Sequence, residues 1–202
     1  MTTKTTTIGE IGVLSSGYHF RGGIDTVSGS RYAVIQAKDV DDSLRFNPEK
    51  LVRVDVELDA NRYMVRQGDV LFLSRGLRPW AIALSHPICN TIVPSSFYIL
   101  RVDSRKVRPE YVAWILNHPK TQAALGEIAR GSNIPFVSMS EFEKLRIPVP
   151  EPEVQQRIVV LSELRQREAE LVTALSSRRG ELVEAICFDL AMGDAKFRGA
   201  KP

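Results

Sequence analysis

The chain has 202 residues, of which 44% are hydrophobic and 25% charged, and a formal net charge of +3. This length and balance fit one globular domain with an extension, and they exclude a disordered chain. No apolar run approaches the ~20 residues that cross a bilayer, so we predict a cytoplasmic protein that has no membrane partner.

Charge and cysteine content narrow the class further. Residues 1–150 carry 19 Lys and Arg against 15 Asp and Glu, whereas residues 151–202 carry 8 against 9. A mildly basic N-terminal part agrees with a surface that faces phosphates. Cys89 and Cys187 lie in apolar or small-residue settings, and we predict two reduced thiols in the core. The three histidines have no Cys or His at ligand spacing, so no metal site is predicted.

The N-terminal half is predicted to consist of short strands and loops. Met1–Thr7 has the composition of a frayed tail, Ile8–Leu14 that of a short opening element, and Ser15–Ser30 that of a Gly- and Ser-rich loop. β-branched and aromatic residues indicate strands over Arg31–Ala37, Tyr63–Arg66, Val70–Leu73, Ala81–Leu84 and Thr91–Val102, the last interrupted near Pro94.

Short helices follow. Pro109 and Pro119 each suit the first position of a helix, and Gly131 suits the end of the second one. Ser138 and Glu141 have the spacing of a capping box. A last strand is predicted over Leu145–Val149, which makes the domain α+β, with mixed β-structure and short helices.

The C-terminal part is predicted to be one long helix. Between Glu153 and Met192 only Gly180 interrupts a helical pattern, and the helix would be roughly 55–60 Å long at 1.5 Å per residue. Side chains at steps of three and four form an apolar stripe that also passes through two charged residues: Val154, Leu161, Leu164, Glu168, Leu171, Leu175, Arg178, Leu182 and Ala185. Such a stripe needs another helix to cover it, unless the helix folds against its own domain. We predict domain limits of 1–150, 151–192 for the helix and 193–202 for a tail.

Six segments together resemble a known family. They are Tyr63–Asp69, Val70–Gly76, Ile92–Leu100, Gly131–Pro135, Leu145–Pro150 and Glu153–Val159. In this order they are similar to the target recognition domain and following helix of the specificity (S) subunits, which read DNA in type I restriction–modification systems. The resemblance spans about Ile8 to Ala191, and its most specific part is the run IPVPEPEVQQRIV.

The resemblance implies a half-size S subunit, because the usual subunit has two recognition domains and two antiparallel helices. Two copies would then pair their helices antiparallel and read an interrupted palindrome. The predicted contact residues are Leu161, Leu164, Glu168, Leu171, Leu175, Arg178 and Leu182, with Glu168 and Arg178 pairing across the dimer. The helix could instead bind only the methyltransferase partner.

The family places methyl transfer and cleavage on other subunits. The implied partners are double-stranded DNA, an adenine methyltransferase (modification) subunit that binds AdoMet, and possibly a restriction subunit. The chain itself is expected to be non-catalytic and to bind no cofactor. It has no G-x-G-x-x-G or P-loop pattern and no Asn/Asp-Pro-Pro-Tyr/Phe run. Glu141, Glu143 and Lys144 faintly suggest a nuclease, but capping and surface roles explain them.

DNA reading requires side chains that bond base edges or phosphates from loops and element ends. Ten residues qualify, although each could also be an ordinary surface, turn or core-rim residue: Tyr18, Arg21, Arg31, Gln36, Lys38, Arg75, Arg78, Trp80, Ser132 and Asn133. Two other functions stay open at this point. One is a stand-alone nuclease or transferase with an unfamiliar motif, and the other is an assembly adaptor that reads no DNA.

Overall fold

A computed structural model describes residues 4–24, 30–56, 60–76, 78–129 and 135–193. The chain divides into a first unit, residues 1–159, and a second unit, residues 160–202. The strands are β1 (Lys4–Thr7), β2 (Gly12–Ser16), β3 (Tyr32–Val34), β4 (Val52–Val54), β5 (Asp69–Leu73), β6 (Trp80–Ala83), β7 (Thr91–Ile92), β8 (Phe97–Val102) and β9 (Arg146–Val149). The α-helices are α1 (Ile8–Ile11), α2 (Pro109–Asn117), α3 (Pro119–Ile128), α4 (Met139–Lys144) and α5 (Pro152–Ala191). Single 3₁₀ turns cover Ala37–Asp39, Pro48–Lys50 and Ala60–Tyr63.

The centre of the first unit is an antiparallel sheet with the strand order β2-β8-β5-β6. All five residues of β5 are buried, so both faces of the sheet are covered. Val70 and Phe72 point into a cluster that also contains Tyr111 of α2. Leu71 and Leu73 belong to a second cluster on the other face, as the two-residue period of a strand requires. The predicted α+β class is therefore confirmed.

A smaller sheet has the order β4-β3-β7, with β3 parallel to β7 and antiparallel to β4. Its buried residues Val34, Val54 and Ile92 form a third cluster, against which Tyr18 and Tyr63 pack. The strand predicted over Arg31–Ala37 is thus only three residues long, and β4 has no counterpart in the sequence-based prediction.

The prediction of a frayed N-terminal tail is wrong for Lys4–Thr7. These residues form β1, which pairs antiparallel with β9, and the amide of Ile8 donates to the carbonyl of Leu145 at 3.0 Å. The Glu10 carboxylate accepts bonds from the Thr6 hydroxyl at 2.6 Å and the Thr7 amide at 2.8 Å. These bonds lower the pKa of Glu10 to about 2. Polar Thr-rich strands give a weak sequence signal because their stabilising partner lies far away in the chain.

Three other predictions need correction. Tyr63–Arg66 is not a strand, since a 3₁₀ turn ends at Tyr63 and Met64 makes one isolated bridge with Ile92. The opening element at Ile8–Leu14 is divided between α1 and β2. Cys89 and Cys187 are free thiols, as predicted, but both are exposed rather than in the core.

The helix starts agree with the sequence. Pro109 and Pro119 are the first residues of α2 and α3, and the Ser138 hydroxyl caps α4 by accepting the Glu141 amide at 3.3 Å. Ala129 follows α3, whereas Gly131, the predicted cap, lies outside the described residues. The predicted interruption at Pro94 is confirmed between β7 and β8.

Gln155, within the run IPVPEPEVQQRIV, holds the start of α5 in place. Its side chain is buried in the first turns of the helix. The amide oxygen accepts the Arg108 amide at 2.9 Å, and the amide nitrogen donates to the Pro150 carbonyl at 2.8 Å. One side chain therefore satisfies two backbone groups, the amide of Arg108 and the carbonyl of Pro150. A shorter or apolar residue could not do so.

The second unit is described as far as residue 193, and its only α-helix over 160–193 is the continuation of α5. The five leucines of the apolar stripe are 54–67% exposed: Leu161, Leu164, Leu171, Leu175 and Leu182. The long helix is confirmed, while its pairing with another helix stays a prediction. None of the described helices combines the length and the apolar character that spanning a membrane requires.

Candidate nucleic-acid interface

One end of the four-stranded sheet brings together two of the predicted DNA-contact segments, with five of the ten predicted residues. The register places Ser16 opposite Tyr98, and Leu73 opposite both Phe97 and Trp80. The segments that leave β2 and β5 and those that enter β6 and β8 therefore lie at this same end, which we call the reading end. Strand pairing thus brings together candidates that are far apart in sequence.

The first segment at the reading end is held by main-chain hydrogen bonds around Tyr18. Its amide donates to the Val93 carbonyl at 2.7 Å, and its carbonyl accepts the Ser95 amide at 2.8 Å. A side chain at Gly17 would overlap the carbonyl oxygen of Pro94, so the close approach of the two segments requires glycine there. The position of Tyr18 in its loop is therefore fixed by hydrogen bonds to the segment between β7 and β8.

Aromatic rings cluster around Tyr18. The ring of Phe20 lies 4.8 Å away and that of Tyr63 lies 5.3 Å away, both edge-on. The Arg62 guanidinium stacks over Tyr63 at 4.8 Å from the ring centroid. Such a combination of flat rings and a stacked, exposed arginine suits contact with phosphates and bases.

A concave site of about 540 Å³ adjoins this cluster. Its lining combines hydroxyl, imidazole, guanidinium and backbone groups: Ser15, Ser16, Gly17, His19, Arg62, Tyr63 and Ser95. The His19 ring nitrogen Nδ1 lies 3.4 Å from the Ser95 hydroxyl. The hydroxyl and guanidinium groups of this lining can donate hydrogen bonds to a phosphate oxygen.

The second segment at the reading end contains Arg75. The Ser74 hydroxyl donates to the Ser96 carbonyl at 2.8 Å, next to the Ser95 that contacts the first segment. Gly76 has a φ of +130°, a conformation that glycine adopts without strain, and its amide donates to the Pro135 carbonyl at 3.1 Å. The Arg75 side chain is exposed, and its guanidinium lies over the Phe136 ring at 5.1 Å.

Arg78 and Trp80 occupy the same end. Arg78 is exposed just before β6, and Trp80 is half-buried with its ring edge-on to Phe97 at 5.5 Å. Arg21 is also exposed, three residues after Tyr18. The predicted contacts Ser132 and Asn133 lie outside the described residues.

Arg31, Gln36 and Lys38 belong to the smaller sheet instead. Arg31 and Gln36 lie at opposite ends of β3, so the structure does not bring them together. The Arg31 amide donates to Asp55 at 2.9 Å, and Lys38 is exposed on the 3₁₀ turn. The side-chain nitrogen of Gln36 is buried, and among the described residues no partner accepts a hydrogen bond from it.

The opposite end of the four-stranded sheet has a different electrostatic character. Asp69 is 2% exposed there, and both of its oxygens accept from Arg101 at 2.9 Å, which raises the Arg101 pKa. Asp103 accepts from Arg105 at 2.9 Å, and this bond lowers the pKa of Asp103. Arg101 and Arg105 at this end are therefore paired with carboxylates, whereas Arg62 and Arg75 at the reading end stack on rings.

Sequence reasoning left out Arg62 and Tyr63 as DNA contacts. Tyr63 falls at the start of the predicted strand Tyr63–Arg66, and Arg62 precedes it outside any predicted element, so neither was considered as a contact residue. The useful signal was that Arg62 and Tyr63, a cation beside an aromatic ring, come directly before a turn. Binding residues concentrate in loops at strand ends. Among the described residues, no group of three His, Cys, Asp or Glu side chains could hold a metal ion.

Comparison with known proteins gives a consistent result at the level of fold. No protein-family model and no curated protein matches the chain. The S subunit of a type I restriction–modification system from M. genitalium matches with a TM-score of 0.60 and 16% identity, over 97% of this chain and 47% of that one. The HsdS subunit from Thermoanaerobacter tengcongensis matches with a TM-score of 0.69 and 19% identity, over 98% and 51%.

A third solved chain belongs to a structure of complex assembly and conformational transition in the type I R-M system. It matches with a TM-score of 0.62 and 18% identity, over 97% of this chain and 46% of that one. The chain thus has the S-subunit fold, an α+β domain followed by a long helix, and spans about half the length of the solved chains it matches. The predicted resemblance is confirmed at the level of the fold.

Proposed function

We propose that this chain is a DNA-recognition (specificity) subunit, without catalytic activity of its own, that directs an adenine methyltransferase to its target. The observation that carries the proposal is the shared fold, which covers at least 97% of the chain in each of the three solved S-subunit structures. The exposed arginines and stacked rings of the reading end supply a surface with the chemistry that DNA binding needs.

In this proposal the reading end meets the duplex. Arg75 and Arg78 bind phosphates or guanine edges from the loop between β5 and β6. Tyr18 and Arg62 present a ring face and a guanidinium beside the concave site. Fixed backbone around Gly17 and Gly76 holds both segments without the entropic loss of ordering a free loop.

The catalytic steps would be carried out by partner subunits in the cytoplasm. The AdoMet-binding adenine methyltransferase supplies methyl transfer, and a restriction subunit, where the system has one, supplies cleavage. This chain would bind neither AdoMet nor a metal for either reaction. The sequence supports this division because it has no recognisable methyltransferase motif.

The proposal includes a homodimer. The exposed stripe of α5 is apolar enough to require a partner helix, and a second copy offers the same stripe. Because the first unit contains the N-terminal end of α5, antiparallel pairing places one reading unit at each end of the pair. Forty residues at 1.5 Å give a helix of about 60 Å. Two identical units so separated would read an interrupted palindrome.

Fluorescence anisotropy with a random duplex pool, measured as a function of salt, tests DNA binding by the reading end. We expect R75A/R78A to bind at least about tenfold more weakly and to reduce the slope of log K against log salt by about 2. R105A/K106A is the matched control, since it removes two positive charges at the opposite end of the same sheet.

Equal binding by both variants would contradict the assignment of the reading end. Absence of DNA binding by the native chain and by its complex with the methyltransferase would favour an assembly adaptor. Cleavage or methylation of DNA by the purified chain alone, with Mg²⁺ or AdoMet, would favour a stand-alone enzyme.

A further inference from the structure

The first unit carries an apolar groove that shares no lining residue with the concave site at the reading end. It has a volume of about 520 Å³. Its apolar lining includes Trp114 and Ile115 of α2, Pro148 of β9, and Val154 and Ile158 from the first turns of α5. Lys120 and Arg146 also line it and make it basic as well as apolar.

Exposed apolar side chains also cluster at the C-terminal end of α5. Phe188, Leu190 and Met192 are 62–69% exposed. A phenylalanine in that environment leaves a large apolar surface in water, and covering it would be favourable. Asp189 lies beside Phe188, and the helix terminus presents carbonyl groups there.

The apolar stripe is symmetric along the sequence. When Ile158, Phe188 and Met192 are added to it, the order of three- and four-residue steps reads the same from either end, with Thr173 at the centre. An antiparallel pair of identical helices has a twofold axis, so residues equally far from the centre lie opposite each other. The stripe therefore specifies its own register.

In this register every position meets a compatible one. Leu171 faces Leu175, Leu164 faces Leu182, and Leu161 faces Ala185. Glu168 of each copy faces Arg178 of the other copy, so this charged pair occurs twice, once on each side of the axis. At the two ends Ile158 faces Phe188 and Val154 faces Met192. Other registers place Glu168 or Arg178 against leucine, at a desolvation cost.

We propose that the groove of one copy receives Phe188 and Met192 from the α5 helix of a second copy. Ile158 and Val154 belong both to the stripe and to the groove lining, so helix pairing delivers the second copy's C-terminal end to this place. Asp189 and the helix carbonyls then meet the basic side chains of Lys120 and Arg146. This inference rests on the homodimer of the proposed function and fixes which surfaces it joins.

Intrinsic fluorescence of the full chain tests the groove directly. The chain has two tryptophans, and W80F leaves Trp114 in the groove as the sole emitter. On dilution, light scattering should show the dimer becoming a monomer, and Trp114 emission should shift to longer wavelength with the same midpoint. F188E/M192E should weaken dimerisation at least about tenfold and remove the emission shift. V183E/L190E, which changes two equally exposed side chains off the stripe, is the matched control.

The outcomes separate the two proposals. A dimer whose dissociation leaves Trp114 emission unchanged would overturn the groove assignment and leave the homodimer intact. If F188E/M192E shows the full shift of Trp114 emission, the groove assignment is also overturned, because another segment would then fill the groove. A chain that is monomeric at every concentration, with and without DNA, would overturn the homodimer and the groove together.

Discussion

Val159 and Leu161 lie two residues apart on one helix, yet Val159 is 7% exposed and Leu161 67% exposed. Val159 belongs to the core of the first unit, where the sheet and α2 cover every large apolar side chain of β5. Leu161 begins the run of exposed leucines in the second unit. The first unit thus completes its core with its own residues, whereas the second presents exposed apolar side chains along its helix.

The largest effect should come from charging the centre of the apolar stripe. L171K/L175K would place four lysines in the middle of the antiparallel pair, and we expect dissociation of the dimer at all accessible concentrations. Light scattering gives the mass, and circular dichroism shows whether the first unit stays folded. V183K/L190K should remain dimeric, and an unchanged mass for L171K/L175K would contradict the role of the stripe.

A second substitution should destabilise the first unit without changing the pairing of the α5 helices. D69A removes the buried carboxylate that accepts from Arg101 and from the Arg66 amide, each at 2.9 Å. We expect a loss of about 3 kcal/mol in the free energy of unfolding, since a partly buried guanidinium and a turn amide both lose their acceptor. Urea denaturation measures it, with D103A, at a more exposed ion pair, as the control expected to change stability far less.

The start of α5, which lies within the first unit, gives a sharper and smaller test. Q155A leaves the Arg108 amide and the Pro150 carbonyl without their side-chain partner, and we expect it to cost about 2 kcal/mol. Q156A changes the next residue of the same helix and should cost less than ~0.5 kcal/mol. Equal midpoints in thermal denaturation for the two variants would show that Gln155 does not anchor the start of α5.

The smallest expected effect is a pH dependence at the N-terminal strand. Hydrogen bonds from Thr6 and Thr7 lower the pKa of Glu10 to about 2 from an ordinary value of 4.5. The ionised form is therefore favoured in the folded state, and its contribution is complete above pH 4.5 and lost as the pH falls toward 2. The melting temperature should fall less steeply across this window in E10Q than in the native chain. Parallel curves for the two proteins would argue against the interaction.

Local signals in the sequence were sufficient for the elements that depend on local chemistry. Pro109, Pro119 and Ser138 mark the helix starts, and the absence of helix breakers before Met192 predicts α5. β5 was recognisable because its apolar residues directly follow a turn that contains Gly68, whose φ is +88°. Each of these features is decided by residues within one or two turns of each other.

Elements stabilised by distant partners were missed. β1 consists of Lys4 and threonines, and it exists because β9 lies beside it. β4 is held by β3, and the aromatic cluster of Tyr18 and Tyr63 joins segments 45 residues apart. The same reason limits the site: Arg75 and Arg78 were recognisable as loop arginines, but only strand pairing shows that Tyr18 and Arg62 share their end of the sheet.

Mapping of methylated adenines in DNA from cells that express this chain together with an adenine methyltransferase subunit tests the central claim most directly. A non-catalytic reader that pairs antiparallel should give N6-methyladenine in one interrupted palindrome, and R75A/R78A should abolish or relax that motif. No methylation by the methyltransferase without this chain is the expected control result. Methylation at an uninterrupted or asymmetric site, or at the same site in the absence of this chain, would contradict the claim.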